Sequence, residues 1–252
     1  MEREKEKESI TVARRVHLDS VDSTNSYVRR MLAQGEVLPE LTLVDADEQT
    51  AGRGQTGNTW ESQAGCNVQF SLVCHPHFLV ASQQFGLSEA IALAVAETVS
   101  GEVKWPNDIY VGDCKISGTL IECDLSGNRI DTCIIGTGIN VNQTEFLSDA
   151  PNPVSLAQLT NREYDREEIL QAVIVRFVSL YDLLREGGAE TVHRMYRQNL
   201  YRREGLHPFE DHDGRFLAEI HDVEPNGHLL LRRQNGELSR YEFKEVRFVI
   251  EN

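Results

Sequence analysis

The 252-residue sequence has no apolar run near the ~18 residues that a membrane-spanning helix requires. Its first residues, MEREKEKES, are charged and lack the apolar core of a secretory signal. Basic residues are scarce, with 25 Lys and Arg against 40 Asp and Glu, which gives a formal net charge of −15. Because nucleic-acid surfaces need clustered basic side chains, this balance argues against one. We therefore expect neither a membrane nor DNA as a partner.

The cysteines also lack any pattern that marks a disulfide framework or a metal site. There are five of them, an odd number, and none forms a C-x-x-C pair. Together with the missing signal segment, this predicts a reducing compartment and a cytoplasmic location. Apolar residues make up 40% of the chain and charged residues 26%, as in a soluble globular protein.

Hydrophobic patterning predicts an α+β fold with a small all-β domain at the end. Helices are expected near 22–35, 82–101, 165–188 and 188–201, with Ser82 and Asp165 as candidate caps. Strands are expected near 11–21, 40–47 and 66–75, followed by an antiparallel meander over 103–143. Short strands separated by Gly-containing turns begin near Gly205. The expected organisation is a flexible tail at 1–15, a first domain at 16–203 and a small barrel at 204–252.

A glycine loop, GRGQTG, follows the second expected strand and matches G-x-G-x-x-G at Gly52, Gly54 and Gly57. A dinucleotide-binding turn would need a helix to start here and an acidic residue about 20 positions further on, and neither is present. A Walker loop would need G-K-[S/T], which is also missing. Two interpretations remain from this segment alone. It is either a phosphate-cradling loop in which Arg53 adds a contact, or a plain surface loop.

A second group of polar residues favours a ligand site. KWPND places Lys104, Asn107 and Asp108 on a proline bend, and GTGINVN brings Asn140 to a strand end. In CKISGTLIE, two-residue alternation predicts that Lys115, Ser117 and Thr119 share one strand face and that Gly118 points the other way. A lysine that leads a row of small polar residues is typical of a pocket wall. An edge-strand lysine that guards against aggregation is the alternative.

Taken together and in order, DSTN, QTAGRG, TW, KWPNDIY, KISGTLIE and GTGINVN resemble biotin protein ligases. The resemblance runs from about residue 18 to the C-terminus. It implies an α+β catalytic domain with a mixed or antiparallel sheet and flanking helices, the class II synthetase-like fold of biotin and lipoate ligases. It also implies that the C-terminal barrel is SH3-like. A lipoate or octanoate ligase, which shares this fold, is the alternative.

The resemblance implies an ATP-dependent ligase that works in two steps. Biotin and ATP first give biotinyl-5′-adenylate and pyrophosphate. A lysine of a biotin carboxyl carrier protein, expected to belong to an acyl-CoA carboxylase, then takes the biotin. Two anions must be held together in the first step, so positive groups and Mg²⁺ are expected beside the phosphates. The family includes monomers and homodimers.

The resemblance also assigns roles by position. Lys115 and Arg53 are the expected catalytic residues, and Asp108 is a candidate Mg²⁺ ligand. The residues expected to bind biotin are Ser23, Thr24, Asn25, Gln49, Gly52, Arg53, Gly54, Lys115 and Gly118. Those expected to bind ATP or the adenylate are Arg53, Trp60, Lys104, Asn107, Lys115 and Asn140.

Two features depart from some members of the family. Where those members carry two arginines after GRG, this sequence has Gln55 and Thr56, so we expect weaker retention of the adenylate. Only about 22 residues precede STN, too few for the DNA-binding domain that some relatives carry, so we expect no regulation of transcription through DNA.

Overall fold

A computed structural model describes residues 12–55, 58–147 and 152–250 of the chain. Most of the expected tail, residues 1–11, lies outside these ranges, as do Thr56 and Gly57 of the glycine loop.

A seven-stranded mixed sheet forms the centre of the molecule. Its strands are β1 (Arg14–Val21), β2 (Thr42–Gln49), β3 (Val68–Cys74), β4 (Glu102–Lys104), β5 (Asp108–Val111), β6 (Cys114–Ser126) and β7 (Arg129–Ile139). They lie in the order β1-β2-β3-β7-β6-β5-β4, in which β1 and β2 are parallel and every other neighbouring pair is antiparallel. The predicted meander corresponds to β4 to β7. Its Gly112 and Gly127 turns have φ of +58° and +63°, which glycine adopts without strain.

Helices cover both faces of this sheet. They are α1 (Thr24–Ala33), α2 (Phe85–Val99), α3 (Leu156–Thr160), α4 (Arg166–Arg185) and α5 (Ala189–Gln198). On one face α1 buries Val28 and Met31 against Val44, Val73 and Ile134 of the strands. On the other face lies the main core, in which α2 is buried around nearly its whole circumference. An all-round apolar helix such as FGLSEAIALAVAETV requires this central position.

A second, five-stranded antiparallel sheet ends the described chain. Its strands are β8 (His207–Asp211), β9 (Gly214–Val223), β10 (Leu229–Arg233), β11 (Leu238–Tyr241) and β12 (Arg247–Phe248), in the order β11-β10-β9-β8-β12. Its buried residues, among them Phe209, Val223 and Leu231, join the main core cluster. The small C-terminal sheet therefore packs against the main core, which lies on the face of the first sheet that carries α2.

The sequence predicted the N-terminal cap of one helix correctly and that of another helix wrongly. Asp165 caps α4 as predicted, because its carboxylate accepts a hydrogen bond from the Glu167 amide at 2.8 Å. The prediction for Ser82 was wrong. Residues Ala81–Gln83 form a 3₁₀ turn, and α2 begins only after Gln84, so Ser82 lies inside the turn rather than at the helix cap. Among the described residues, no helix is long and apolar enough to cross a membrane.

The cap of α4 gives a test of the fold. Asp165→Ala removes the acceptor for the Glu167 amide and should lower the free energy of unfolding by about 0.5–2 kcal/mol. Asp165→Asn keeps an acceptor of equal capping strength and should change it little. Denaturant unfolding of the three proteins measures the difference. Equal losses in the two variants would show that the cap does not stabilise α4.

Candidate active site

A cavity of about 380 Å³ opens on the sheet face that carries α1. Four parts of the chain surround it: the start of α1, the glycine loop after β2, the KWPND bend before β5, and the C-terminal sheet. The expected site residues that line it are Ser23, Thr24, Asn25, Gln49, Arg53, Gly54, Trp60, Lys104, Asn107, Asp108, Lys115 and Gly118. Segments separated by up to 225 positions in the sequence, from Ser23 to Phe248, thus meet at one place.

The floor of the cavity is made of glycines on β6 and β7, and larger side chains lie directly on them. A Cβ added to Gly136 would lie 2.1 Å from Oδ1 of Asn25, and one added to Gly138 would lie 2.3 Å from the Trp60 ring. On β6, a Cβ at Gly118 would lie 3.2 Å from Nζ of Lys115. Only glycine gives α1 and the loop this close approach to the strands.

The start of α1 is held by buried hydrogen bonds. Oε1 of Gln49 accepts from the Thr24 amide at 2.8 Å, and Nε2 of Gln49 donates to Gln69 at 2.9 Å. The Ser71 hydroxyl donates to Oδ1 of Asn25 at 2.6 Å. Thr24 and Asn25 are each 3% exposed. Because Gln69 and Ser71 are buried on β3 and Gln49 is partly buried at the end of β2, these polar groups face the cavity in fixed orientations.

The glycine loop folds back on itself beside the cavity. The Trp60 amide donates to the Gly52 carbonyl at 2.9 Å, and the Gly54 amide donates to the Asn58 carbonyl at 3.1 Å. Gly52 lies behind Trp60 rather than in the cavity lining, since a Cβ there would be 2.4 Å from the Trp60 carbonyl oxygen. Arg53 reaches from this loop to Glu122 of β6, with 3.1 Å between Nη2 and Oε1.

Two further cations of the site come from the bend and from β6. Lys115 forms an ion pair with Asp108, with 2.7 Å between Nζ and Oδ1. The Lys104 ammonium lies over the rings of Tyr110 and Phe248, 5.1 and 5.2 Å from their centroids. Burial lowers the pKa of Lys104, because removal from water disfavours the charged form. The site therefore holds its positive charges close together in a partly dry environment.

The KWPND bend rests on the helices and on the C-terminal sheet. Nδ2 of Asn107 donates to the Ser88 hydroxyl of α2 at 3.1 Å, and the Tyr196 hydroxyl donates to the Pro106 carbonyl at 2.8 Å. Nε1 of Trp105 donates to the Gly227 carbonyl at 2.9 Å. These contacts fix the bend from three elements distant in sequence.

The predicted alternation on β6 was wrong. Ile109 of β5 pairs with Ser117, whereas the next residue, Tyr110, pairs with Lys115, so β6 carries one extra residue at this point. Such a bulge reverses the order of faces. Lys115 consequently shares the cavity face with Gly118, while Ser117 is buried and donates to the Gly138 carbonyl at 2.7 Å.

Asn140 is not among the residues that line the cavity. It is 3% exposed, and its Nδ2 donates to the Val154 carbonyl at 3.2 Å, which ties the end of β7 to the segment before α3. The structure thus places it behind the strand end, in a position that joins chain segments.

Sequence patterns missed the contribution of the C-terminal sheet. Lining residues from this sheet and the turn before its last strand are Phe243, Lys244, Val246, Arg247 and Phe248. No local motif marks them, because their position depends on how the two sheets pack. Glu122 was also missed as a site residue, although it is the last residue of the KISGTLIE motif.

Comparison with known proteins agrees with this geometry. A model of the biotin/lipoate A/B protein ligase family matches residues 18–140. A bifunctional ligase/repressor of Bacillus spizizenii is 29% identical over 231 residues, which make up 88% of this chain and 70% of that protein. A biotin–[acetyl-CoA-carboxylase] ligase of Paracoccus denitrificans is 33% identical over 171 residues, which make up 64% of this chain and 70% of that protein.

The structure of a biotin protein ligase from Aquifex aeolicus, in complex with biotin and ATP, matches with a TM-score of 0.77 and 26% identity. It covers 94% of this chain and 100% of that chain.

The chain therefore belongs to the biotin/lipoate A/B protein ligase family. Within that family, the relatives and structural neighbours it matches are biotin protein ligases, so the resemblance stated from the sequence is confirmed. The expected α+β fold with a mixed sheet, followed by a small antiparallel β-sheet, is confirmed as well.

The glycine floor gives a test of the site. Gly138→Ala should push the Trp60 ring off the strand, because the added methyl would overlap it. Gly118→Ala is the matched control, since its Cβ would meet the flexible end of Lys115 at 3.2 Å and Oδ1 of Asp108 at an ordinary contact distance of 3.4 Å, but not Trp60. In a Trp105→Phe background Trp60 is the one remaining tryptophan, and acrylamide quenching reports its exposure. We expect stronger quenching in Gly138→Ala alone, and equal quenching in both variants would contradict the packing of Trp60 on Gly138.

Proposed function

We propose that this chain activates biotin with ATP and transfers it to a lysine of a carrier protein, as an ATP-dependent biotin protein ligase. The observation that carries the proposal is one cavity that brings Lys115 and Arg53 together over a glycine floor, each beside a single carboxylate. In such a site a ligand anion can share or replace a carboxylate partner of each cation. Biotin carboxylate and ATP phosphates are anions that would otherwise repel each other.

The start of α1 and Gln49 supply the part of the cavity proposed to bind biotin. Ser23, Thr24 and Asn25 offer hydroxyl and amide groups, and Gln49 is fixed by its bond from the Thr24 amide. Biotin's bicyclic head carries a polar ureido group, which such fixed donors and acceptors would orient. Gly118 leaves room for the valeryl chain to approach the strand, and Gly54 keeps the loop backbone close to the ligand.

The opposite end of the cavity is proposed to bind ATP and the adenylate. Trp60 offers an aromatic face, and Lys104 and Asn107 lie on the bend that the helices hold in place. Lys104 fits a phosphate contact, since an anion nearby would offset the cost of its buried charge. Lys115, between the two ends, is the proposed electrostatic catalyst of the first step. A biotin carboxylate oxygen attacks the α-phosphorus while the bond to pyrophosphate breaks, and Lys115 with Arg53 stabilises the charge that accumulates on the phosphate oxygens.

Asp108 carries the one carboxylate among the described residues that line the cavity. One carboxylate that faces phosphates fits the usual manner of binding Mg²⁺, so Asp108 is the residue proposed to hold it. The ion would neutralise phosphate charge and orient the leaving pyrophosphate. In the second step the carrier lysine attacks the adenylate carbonyl, the amide forms and AMP leaves. The proposed acceptor is a biotin carboxyl carrier protein, in line with the name of the Paracoccus relative.

The proposal also covers organisation and location. We assign residues 16–203 to the catalytic domain and 204–252 to an SH3-like domain, which the start of β8 at His207 supports. We also assign the chain to a reducing compartment, the cytoplasm, which the odd number of cysteines and the lack of a C-x-x-C pair favour.

Acid specificity is tested by ATP–pyrophosphate exchange with the purified chain. We expect exchange with biotin and none above background with lipoate or without acid, because exchange reports formation of the acyl-adenylate directly. Exchange that requires lipoate would contradict the proposal and favour the sister activity. Biotin binding without exchange would show a protein that binds its ligand but does not activate it.

Lys115 is tested by single-turnover formation of the adenylate. Lys115→Ala should slow this step by about 10²–10³-fold, the effect of removing one preorganised donor at an oxyanion. Arg129→Ala is a matched cation control, because Arg129 lies at the far end of β7 and donates to the His77 carbonyl. An unchanged rate in Lys115→Ala would refute its catalytic role.

A further inference from the structure

Glu122 stands out among the residues around the cavity because it ends the KISGTLIE motif, yet the resemblance assigns it no role. It lies on β6, its side chain is 22% exposed, and its two carboxylate oxygens make separate contacts. Oε1 pairs with Nη2 of Arg53 at 3.1 Å, and Oε2 accepts from Nδ2 of Asn25 at 3.0 Å. One carboxylate thus connects the glycine loop to the start of α1.

The Asn25 side of this connection is rigid. Asn25 is 3% exposed and Ser71 is fully buried, and the Ser71 hydroxyl donates to Oδ1 of Asn25. Because the Glu122 carboxylate can only accept, Nδ2 of Asn25 must face it and Oδ1 faces the Ser71 hydroxyl, so the amide is held in one orientation. The carboxylate of Glu122 is therefore placed by buried groups, independently of the loop.

Arg53 depends on this carboxylate for its position. Its side chain is 45% exposed, and its other described side-chain contact is a long one, 3.5 Å from Nη1 to the Ser26 hydroxyl. Arg53 is also the only basic residue in the stretch 49–60 of the sequence. A guanidinium has five N–H donors, so the ion pair with Glu122 leaves others available for a ligand anion.

We infer that Glu122 is a positioning residue, which acts by holding the Arg53 guanidinium at the cavity so that it can retain the adenylate phosphate. The inference rests on the proposed function for the identity of that ligand. It assigns Glu122 no direct contact with substrate.

The test measures dissociation of purified biotinyl-5′-adenylate, followed by tryptophan fluorescence in stopped flow. Both tryptophans of the chain, Trp60 and Trp105, line the cavity, so the signal comes from the site. Glu122→Gln keeps the shape and removes the charge. We expect dissociation about two- to fivefold faster, the effect of losing a partly exposed ion pair.

A double-mutant cycle separates positioning from general damage to the strand. If Glu122 acts through Arg53, then Glu122→Gln should add no further change in an Arg53→Ala background. Asp124→Asn is the matched control. Asp124 lies two residues along β6 and pairs with Arg29, outside the cavity lining, so its removal should leave dissociation unchanged. Additive effects of the two substitutions, or equal effects of Glu122→Gln and Asp124→Asn, would overturn the inference.

A ligand-free measurement keeps this inference separate from the proposed function. Trypsin cleaves after arginine, so the rate of cleavage between Arg53 and Gly54, mapped by mass spectrometry, reports how well Glu122 holds the arginine. We expect faster cleavage in Glu122→Gln than in Asp124→Asn or the parent protein. If the parent protein failed to bind the adenylate, the proposed function would be wrong. The cleavage rates would still show whether Glu122 holds Arg53 in place. Equal cleavage in all three proteins would then overturn the positioning role.

Discussion

The absence of side chains on the floor of the cavity is the constraint on which the site depends. At Gly136 and Gly138 an added Cβ would overlap Asn25 and Trp60 at 2.1 and 2.3 Å, so neither α1 nor the loop could sit where it does. Strands rarely carry glycine without cost, because it packs nothing and loses more entropy on folding. Here that cost is offset by the close approach of the groups that define the cavity.

The positive side chains of the cavity are a second constraint on the site. The chain has a net charge of −15, yet its cavity gathers Arg53, Lys104 and Lys115. Arg53 and Lys115 are held by one carboxylate each, whereas Lys104 lies over aromatic rings and has its pKa lowered by burial. A negatively charged ligand would offset the cost of burying the Lys104 charge, because an opposite charge nearby favours the ammonium form. This local group of cations would favour an anionic ligand even though the chain as a whole is acidic.

Local patterns predicted the parts of this structure that local physics determines. Turn glycines marked the β4–β7 meander, and Asp165 marked the start of α4, because each acts within a few residues of itself. The predicted strand face of Lys115 was wrong, because one extra residue on β6 reverses the alternation of side chains. Nothing in the local composition of the sequence indicates this bulge. Phe243 and Phe248 were missed for another reason: they lie more than 100 residues from the motifs they meet, and only the packing of two sheets brings them there.

The packing of the two sheets also explains why the C-terminal sheet forms part of the site. The Trp105 indole N–H donates to the Gly227 carbonyl, and the Trp105 ring lies 5.9 Å from that of Phe243. Trp105 is in the same bend as Asn107 and Asp108, so the C-terminal sheet fixes the backbone that presents them. Gly227 in turn has φ of +94°, and a Cβ there would lie 2.7 Å from the Phe85 ring at the start of α2. One turn of the second sheet therefore contacts both the bend and the helix that supports it, which makes the geometry of the proposed ATP end a joint property of both sheets.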